Sequence, residues 1–510
     1  MRGGRLIRRM TASIALAAAG AIALSGCISP LIPDRPADPA PVTDGVAADV
    51  LDFYDQPPQW SDCGTNLQCA TIDAPLDWDD PGRGTIELAL TRYLAEGGAP
   101  EGSLVTNPGG PGASGVEFVQ SGAAYVFDGD LRSAYDIVGF DPRGVGESTA
   151  VTCVDDAGMD AYLYDLPTAE RGSAEWQAEG EERDRAFADA CEENTGELLE
   201  FVTTEQSARD LDLIRGVLGE AELRYLGFSY GTFLGATYAG LFPDRAGSLV
   251  LDAAMDPSVS GAMVGASQAV GFENAIRAYL EDCGDTGQCP FTGTVDDGMA
   301  DLGALLASLD RSPLTGSDGR RLGVDTMVTA IISSLYTPAY WPDLTAALVG
   351  VQQGDASGAF ELADMYNERV DGRYTSNLTE AFEAYNCMDF PAATDEEAAE
   401  AESLIDEQAP TIAPFWTGTD LCEQWPYEPT GTREKITADG AAPIVVVGTT
   451  GDPATPYEWA QSLADQLSSG TLVTYEGEGH GGYGSSDCVD EAVGAFFLEG
   501  TVPEDGLTCS

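Results

Sequence analysis

One stretch constrains the fold of this 510-residue chain more than any other: Leu223 to Phe242, LRYLGFSYGTFLGATYAGLF. Leu223 to Leu226 is a short apolar run and predicts a buried strand. The run breaks at Gly227-Phe228-Ser229-Tyr230-Gly231. Beyond it, Phe233, Leu234, Ala236, Tyr238 and Ala239 predict a buried helix. A strand that turns into a helix so abruptly leaves no room for side chains at 227 and 231, and glycine stands at both. Such a turn lifts the Ser229 hydroxyl clear of the sheet edge. The helix start behind it offers unpaired N–H groups and a positive dipole end to a developing negative charge.

The length suits one large core plus a cap, or two domains, and 43% hydrophobic residues suffice for a sizeable core. Acidic residues number 85 against 24 basic ones, a formal net charge of −61, and Lys435 is the only lysine. Such a surface repels polyanions. It excludes nucleic acid as a partner and electrostatic docking to anionic membranes. A solubility or salt adaptation accounts for the charge more simply than a specific cationic partner.

The N-terminus reads as an export signal, residues 1–27. Arg2, Arg5, Arg8 and Arg9 form a basic region, and Thr11 to Leu24 a short apolar one. Leu24-Ser25-Gly26-Cys27 closes it with small residues and a cysteine. This is similar to a bacterial lipobox, which implies cleavage before Cys27 and lipidation of its sulfur. The plainer alternative is a secretory signal with an incidental cysteine. The Arg8-Arg9 pair fits a twin-arginine signal poorly. The expected location is the outer face of the bacterial cell membrane, held only by the lipid on Cys27, or outside the cell.

Eleven cysteines minus Cys27 leave ten, an even number in an exported chain, which argues for disulfides over metal sites. Nearest-neighbour closure predicts Cys63–Cys69, Cys153–Cys191, Cys283–Cys289, Cys387–Cys422 and Cys488–Cys509. A single histidine and the lack of paired C-x-x-C motifs leave no metal centre to expect, and no cofactor motif stands out.

Along the chain, residues 28–48 are rich in Pro, Asp and Ala and read as a flexible tether. Strands then begin. Leu104 to Thr106 runs into Asn107-Pro108-Gly109-Gly110-Pro111-Gly112, a loop whose glycines let backbone N–H groups approach a ligand. Tyr135 to Phe140 predicts another strand, ending at Asp141-Pro142-Arg143-Gly144-Val145-Gly146, where Arg143 is expected to pair with a carboxylate structurally. Thr203 to Leu218 predicts a helix with capping-box spacing at Thr203 and Gln206. Ala246 to Leu251 predicts a strand ending at Asp252. This alternation predicts a mostly parallel sheet covered on both faces. From Pro257 to Gly440 strand signals nearly vanish and helical spacing takes over, as an inserted helical cap would require. Strands resume at Ala442 to Val447 and Thr471 to Tyr475. The expected organisation is therefore a sheet domain in two parts, 49–256 and 441–510, with the cap at 257–440.

A serine hydroxyl needs a base within hydrogen-bond reach and a carboxylate to orient that base. His480 is the only histidine, so any Ser–His mechanism must use it. It sits in Gly477-Glu478-Gly479-His480-Gly481-Gly482, just past the last predicted strand. In α/β-hydrolases the acid falls between serine and histidine in the chain. Asp452, after the strand Ile444 to Val447, is the first choice, and Asp252 the rival. The backbone N–H groups of Tyr230 and Gly110 are the expected oxyanion donors.

The motifs taken together resemble those of the secreted bacterial tripeptidyl aminopeptidases, serine exopeptidases related to prolyl aminopeptidase. The matching segments are NPGGPGASG (107–115), GFDPRGVGES (139–148), TTEQSARDLDLIRGVLG (203–219), YLGFSYGTFLGATYAGLFPD (225–244), VVVGTTGDPATP (445–456), GEGHGG (477–482) and FFLEGTVPEDGLTC (496–509). The resemblance covers the sheet domain from about residue 60 onward, with a looser match in the cap at YNCMD (385–389). It implies an α/β-hydrolase fold with an inserted helical cap, no cofactor, and release of short peptides from free N-termini through an acyl-enzyme. It implies Ser229 as nucleophile, Asp452 as acid and His480 as base. By analogy with related aminopeptidases, Asp389 and Glu383 are candidates to hold the substrate's α-ammonium, beside the plainer reading of solvated acidic side chains. An exported carboxylesterase acting on small esters or amides is the alternative on the same scaffold, and a non-catalytic tethered binding lipoprotein a second.

Overall fold

The computed structural model describes residues 36–510 apart from Gln288 and Thr417. Its centre is a ten-stranded sheet. In chain order the strands are β1 (Ser61–Gly64), β2 (Leu67–Pro75), β3 (Thr85–Tyr93), β4 (Gly102–Asn107), β5 (Tyr135–Phe140), β6 (Leu223–Phe228), β7 (Ala246–Asp252), β8 (Ile444–Gly451), β9 (Gly470–Glu478) and β10 (Leu507–Cys509). They lie side by side as β1-β2-β3-β5-β4-β6-β7-β8-β9-β10. The pairs up to β3–β5 are antiparallel, and every pair from β5 to β10 is parallel. Parallel strands buried on both faces need continuous apolar runs. The six residues of β5 and the first six of β8 are all buried. The arrangement also sends the carboxyl ends of β4, β6, β7, β8 and β9 to one edge, where α/β sheets place their ligands.

Six helices bear on that edge: α1 (Gly115–Val126), α2 (Thr204–Val217), α3 (Tyr230–Leu241), α4 (Gly261–Thr286), α5 (Val324–Leu335) and α6 (Leu378–Asp389). The hydroxyl of Thr203 caps α2 by accepting from Gln206 N at 3.2 Å. The other half of the expected box is spent elsewhere, because Gln206 Oε1 accepts from Trp78 N.

The regular structure of the segment 257–440 is helical apart from two short two-stranded ribbons, and its last part, 425–440, is irregular. Its apolar side chains divide. Phe272, Leu306, Met327, Ile331, Leu348 and Phe360 belong to a cluster of their own. Ala381, Tyr385 and Met388 of α6, with Leu421 and Trp425, share the cluster that packs against the sheet. α6 thus shares the apolar core of the sheet domain.

The expected export signal, Cys27 and residues 28–35 lie outside the described residues. The rest of the expected tether is not free, which corrects that reading. Val42 N–H donates to Gly216 O at 2.8 Å, and Asp38 pairs with Arg92 at 2.7 Å. Pro and Asp composition signals a lack of regular structure, but it does not prevent an extended segment from docking.

The five disulfides are those that nearest-neighbour closure predicts. Cys387–Cys422 ties α6 to the segment that follows it. Arg143 has a structural role. Its fully buried guanidinium grips both oxygens of Asp210 at 2.8 and 2.7 Å and donates to the carbonyls of Pro75, Leu76 and Phe201. Every donor of the fork is used, the condition under which a buried ion pair is tolerated. Replacing Arg143→Ala leaves Asp210 charged and uncompensated. We expect a loss of about 3–5 kcal/mol in unfolding free energy by urea denaturation.

Candidate active site

Ser229 joins β6 to α3 with φ 54° and ψ −124°. A positive φ in a non-glycine residue costs about 1–3 kcal/mol and persists only where the surroundings impose it. Here its N–H donates to Asp252 O at 2.9 Å, and its carbonyl accepts from Thr232 N at 2.8 Å and Thr232 Oγ1 at 2.6 Å. A Cβ on Gly227 would lie 2.5 Å from Gly231 O, and one on Gly231 would lie 2.7 Å from Asn107 O. Both glycines are therefore required by contact.

The loop after β4 lies against this turn. A Cβ on Gly109 would stand 2.9 Å from Ser229 Cβ and 3.1 Å from Tyr230 N. The N–H of Gly109 is taken by Asn107 Oδ1 at 3.0 Å, an Asx turn within the loop. The Gly110 N–H has no acceptor among the described residues. Tyr230 is the first residue of α3, so its N–H has no intrahelical acceptor. Tyr230 thus follows the serine directly, and Gly110 follows the glycine that touches it. Asn107, which sequence reasoning passed over, sets the loop, and its Asn-Pro-Gly context was the available signal. Asp141 fixes the next turn by accepting from Ser114 Oγ at 2.6 Å and Val116 N at 3.0 Å at the start of α1.

At the end of β8, Asp452 is buried and meets His480. His480 Nδ1 lies 2.9 and 3.0 Å from the two Asp452 oxygens. Those oxygens also accept from Ala454 N, Thr455 N and Thr455 Oγ1, each at 2.9 Å, which fixes the carboxylate. Asp252, the rival, does not touch the imidazole through a hydrogen bond. Its carboxylate accepts N–H groups of Ala253, Gly482 and Tyr483. Ser229 Oγ makes no hydrogen bond to His480 or to any other described residue. Catalytic hydrogen bonds of this kind are often formed only with substrate in place.

The cap contributes a residue that sequence reasoning missed. Tyr336, just after α5, accepts the His480 N–H on its carbonyl at 2.8 Å. Its ring meets the imidazole edge-on, centroids 5.1 Å apart. An isolated cap tyrosine carries no sequence signal of that role. On the other flank, α6 packs on the glycine loop, where a Cβ on Gly112 would lie 2.8 Å from Leu378 O.

The two cap carboxylates differ. Asp389 is buried and accepts from Thr204 N at 2.8 Å and Thr204 Oγ1 at 2.6 Å, anchoring the start of α2. Burial pushes its pKa up to about 6. Glu383 has one long hydrogen bond, from Tyr162 OH at 3.3 Å. It lines a cavity of about 700 Å³ with Tyr162, Trp176, Phe415 and Trp416. Burial, aided by the fields of Asp184 and Asp420, pushes its pKa up to about 7. Among the described residues no cluster of His, Cys, Asp and Glu could hold a metal ion.

A strained serine at a helix start beside a glycine loop, and an imidazole held by a carboxylate, all on one sheet edge, equip a chain for acyl transfer to a hydroxyl. The class so defined is the serine hydrolases of the α/β-hydrolase fold. Residues 102–294 match a family model described as alpha/beta hydrolase fold, and residues 409–509 one described as TAP-like protein. The chain is 36% identical to Serine protease Hip1 of Mycobacterium tuberculosis, covering 99% of this chain and 98% of that one. It is 40% identical to Carboxylesterase B of the same organism, covering 87% and 86%. With Tripeptidyl aminopeptidase of Streptomyces lividans it shares 30% identity over 88% and 86%. The chain belongs to the TAP-like family of α/β-hydrolases.

Burial of the His480 ring works against its charged form. The field and hydrogen bond of Asp452, and the field of Asp252, outweigh it and raise the imidazole pKa above its ordinary 6.5. A general base works only when unprotonated. With His480 in the expected role of base, activity is lost as pH falls through that raised value. A profile of kcat/KM from about pH 5 to about pH 9 should have its acid limb centred above 6.5.

Proposed function

We propose that this chain is an exported serine exopeptidase that releases short peptides, tripeptides in the first instance, from free N-termini. The observation that carries the reading is the hydrogen-bonded Asp452–His480 pair on the same sheet edge as the strained Ser229 turn. Ser229 Oγ attacks the scissile carbonyl while His480 takes its proton. Asp452 keeps the imidazole in the tautomer that can accept it. The N–H groups of Tyr230 and Gly110 receive the oxyanion. Collapse of the tetrahedral adduct breaks the C–N bond, and His480 returns the proton to the leaving amine. Water, activated by the same histidine, then hydrolyses the acyl-enzyme.

Of the two cap carboxylates, Glu383 is the better candidate for the substrate's α-ammonium. Both carboxylates border a cavity, but the hydrogen-bonding capacity of Glu383 is largely unused, whereas Asp389 is occupied by Thr204. The similarity to an esterase supports a second reading, hydrolysis of small esters, on the same triad. Export and a lipid on Cys27 are part of the proposal. Five disulfides support an oxidising compartment.

Ser229→Ala should lower kcat by about a millionfold and abolish labelling by a fluorophosphonate. Asp452→Asn should lower it by about ten-thousandfold. Peptide anilides with free and blocked N-termini, run beside short acyl esters, separate the two readings. Faster turnover of blocked peptides or of esters would count against the exopeptidase.

Glu383→Gln should raise KM for free-amine peptides by about ten- to a hundredfold and leave blocked ones unchanged. Because Glu383 titrates at about 7, the wild-type KM for free-amine peptides should also rise as pH falls below that value. An equal effect on both substrate types would remove Glu383 from the role.

A further inference from the structure

We propose that Asp252 is a positioning residue that joins the loop of the base to the turn of the nucleophile. The inference rests on the reading of Ser229 and His480 given above and adds a residue to it. β7 lies between β6, which carries Ser229, and β8, which carries Asp452. Asp252, its last residue, sits opposite Phe228 on one side and Val447 on the other.

From there its two ends reach different loops. The main-chain carbonyl accepts the N–H of Ser229 at 2.9 Å. The carboxylate accepts from Gly482 N at 2.9 and 3.1 Å and from Tyr483 N at 2.8 Å, on the loop just after His480, and from Ala253 N at 2.8 Å. One fully buried side chain thus receives the backbone of the base loop, while the same residue's backbone receives the nucleophile's.

The sequence of the loop fits this task. Gly481 has φ 100°, a conformation that other residues rarely adopt. A Cβ on Gly482 would meet Val447 Cγ1 at 2.9 Å. Glycine at both positions lets the chain descend onto the carboxylate. Charge matters as well as shape, since each donor to Asp252 is an N–H, and an amide in its place would turn two of its own hydrogens toward them.

The titratable group facing Asp252 from the base loop is His480, while β6 and β8 present Phe228 and Val447. Asp452 and Tyr336 complete the surroundings of the imidazole. Asp252 has its pKa pushed up to about 6 by burial, opposed by the three backbone donors and His480. It therefore anchors the loop as an anion above that pH and loses its grip as pH falls through it.

The lone histidine makes the test direct, because protein labelled with ¹⁵N-histidine gives one imidazole signal. In the wild type that signal should titrate above 6.5 and show a second inflection near 6 as Asp252 takes a proton. In Asp252→Asn the second inflection should vanish and the main transition move down. kcat should fall by about ten- to a hundredfold with KM within about threefold, in protein whose circular dichroism and melting remain cooperative. Fluorophosphonate labelling of Ser229 should slow in parallel. A titration and pH–rate profile superimposable on the wild type would overturn the proposal. Where Asp252→Asn does not fold, Asp252→Glu decides, since it keeps the charge but displaces the carboxylate from Gly482 and Tyr483, and kcat and a His480 titration unchanged from the wild type overturn the proposal. Failure of the triad reading looks different: Asp452→Asn would retain turnover while Asp252→Asn abolished it.

Discussion

The carboxyl edge of the sheet depends on backbone meeting backbone more closely than any side chain permits. Gly231 rests on Asn107, Gly227 on Gly231, and Gly109 on Ser229, each within a distance that a Cβ would violate. These contacts squeeze β4, β6 and α3 into one corner. The squeeze holds Ser229 at a positive φ and presents its hydroxyl outward. It also sets the start of α3 and the glycine loop side by side. A single methyl group at any of the three positions would have to displace main chain, and the site would be lost with the geometry.

Parallel pairing supplies the rest. Strands that run the same way end on the same side, so Ser229, Asp252, Asp452 and His480, far apart in the chain, arrive on one edge. Each is then fixed by local backbone hydrogen bonds. Asp452 is saturated by Ala454 and Thr455, and Asp252 by Ala253, Gly482 and Tyr483. The cap closes the edge from two directions. α6 presses on Gly112 beside the oxyanion loop, and Tyr336 holds the base by both carbonyl and ring. The helical segment thus restrains both the glycine loop and His480.

Charge is organised in the same economical way. The chain carries few cations, and several of its arginines are turned inward on carboxylates. Arg143 grips Asp210, Arg215 and Arg245 share Asp212, and Arg320 and Arg369 meet at Asp364. Arg433 lies between the rings of Phe233 and Phe390, 4.4 and 4.3 Å from their centroids. These cations are spent on structure, and the acidic excess that remains repels polyanions.

The sequence by itself determined the turn at Ser229, the alternation that predicts a parallel sheet and the helical insertion, whereas for the disulfides it offered only a nearest-neighbour hypothesis that the structure matches. Each of these is local: glycine spacing, apolar periodicity, or cysteines close in the chain. The lone histidine also made His480 the only imidazole available. Tertiary structure showed which carboxylate meets it: Asp252 and Asp452 both end strands, and Asp452, the first choice from sequence, is the one hydrogen-bonded to the imidazole. It alone showed Asp389 occupied by Thr204, the segment after Asp38 docked on the body, and Tyr336 beside the base. Those facts depend on contacts between residues tens to hundreds of positions apart, which no pattern along the chain encodes.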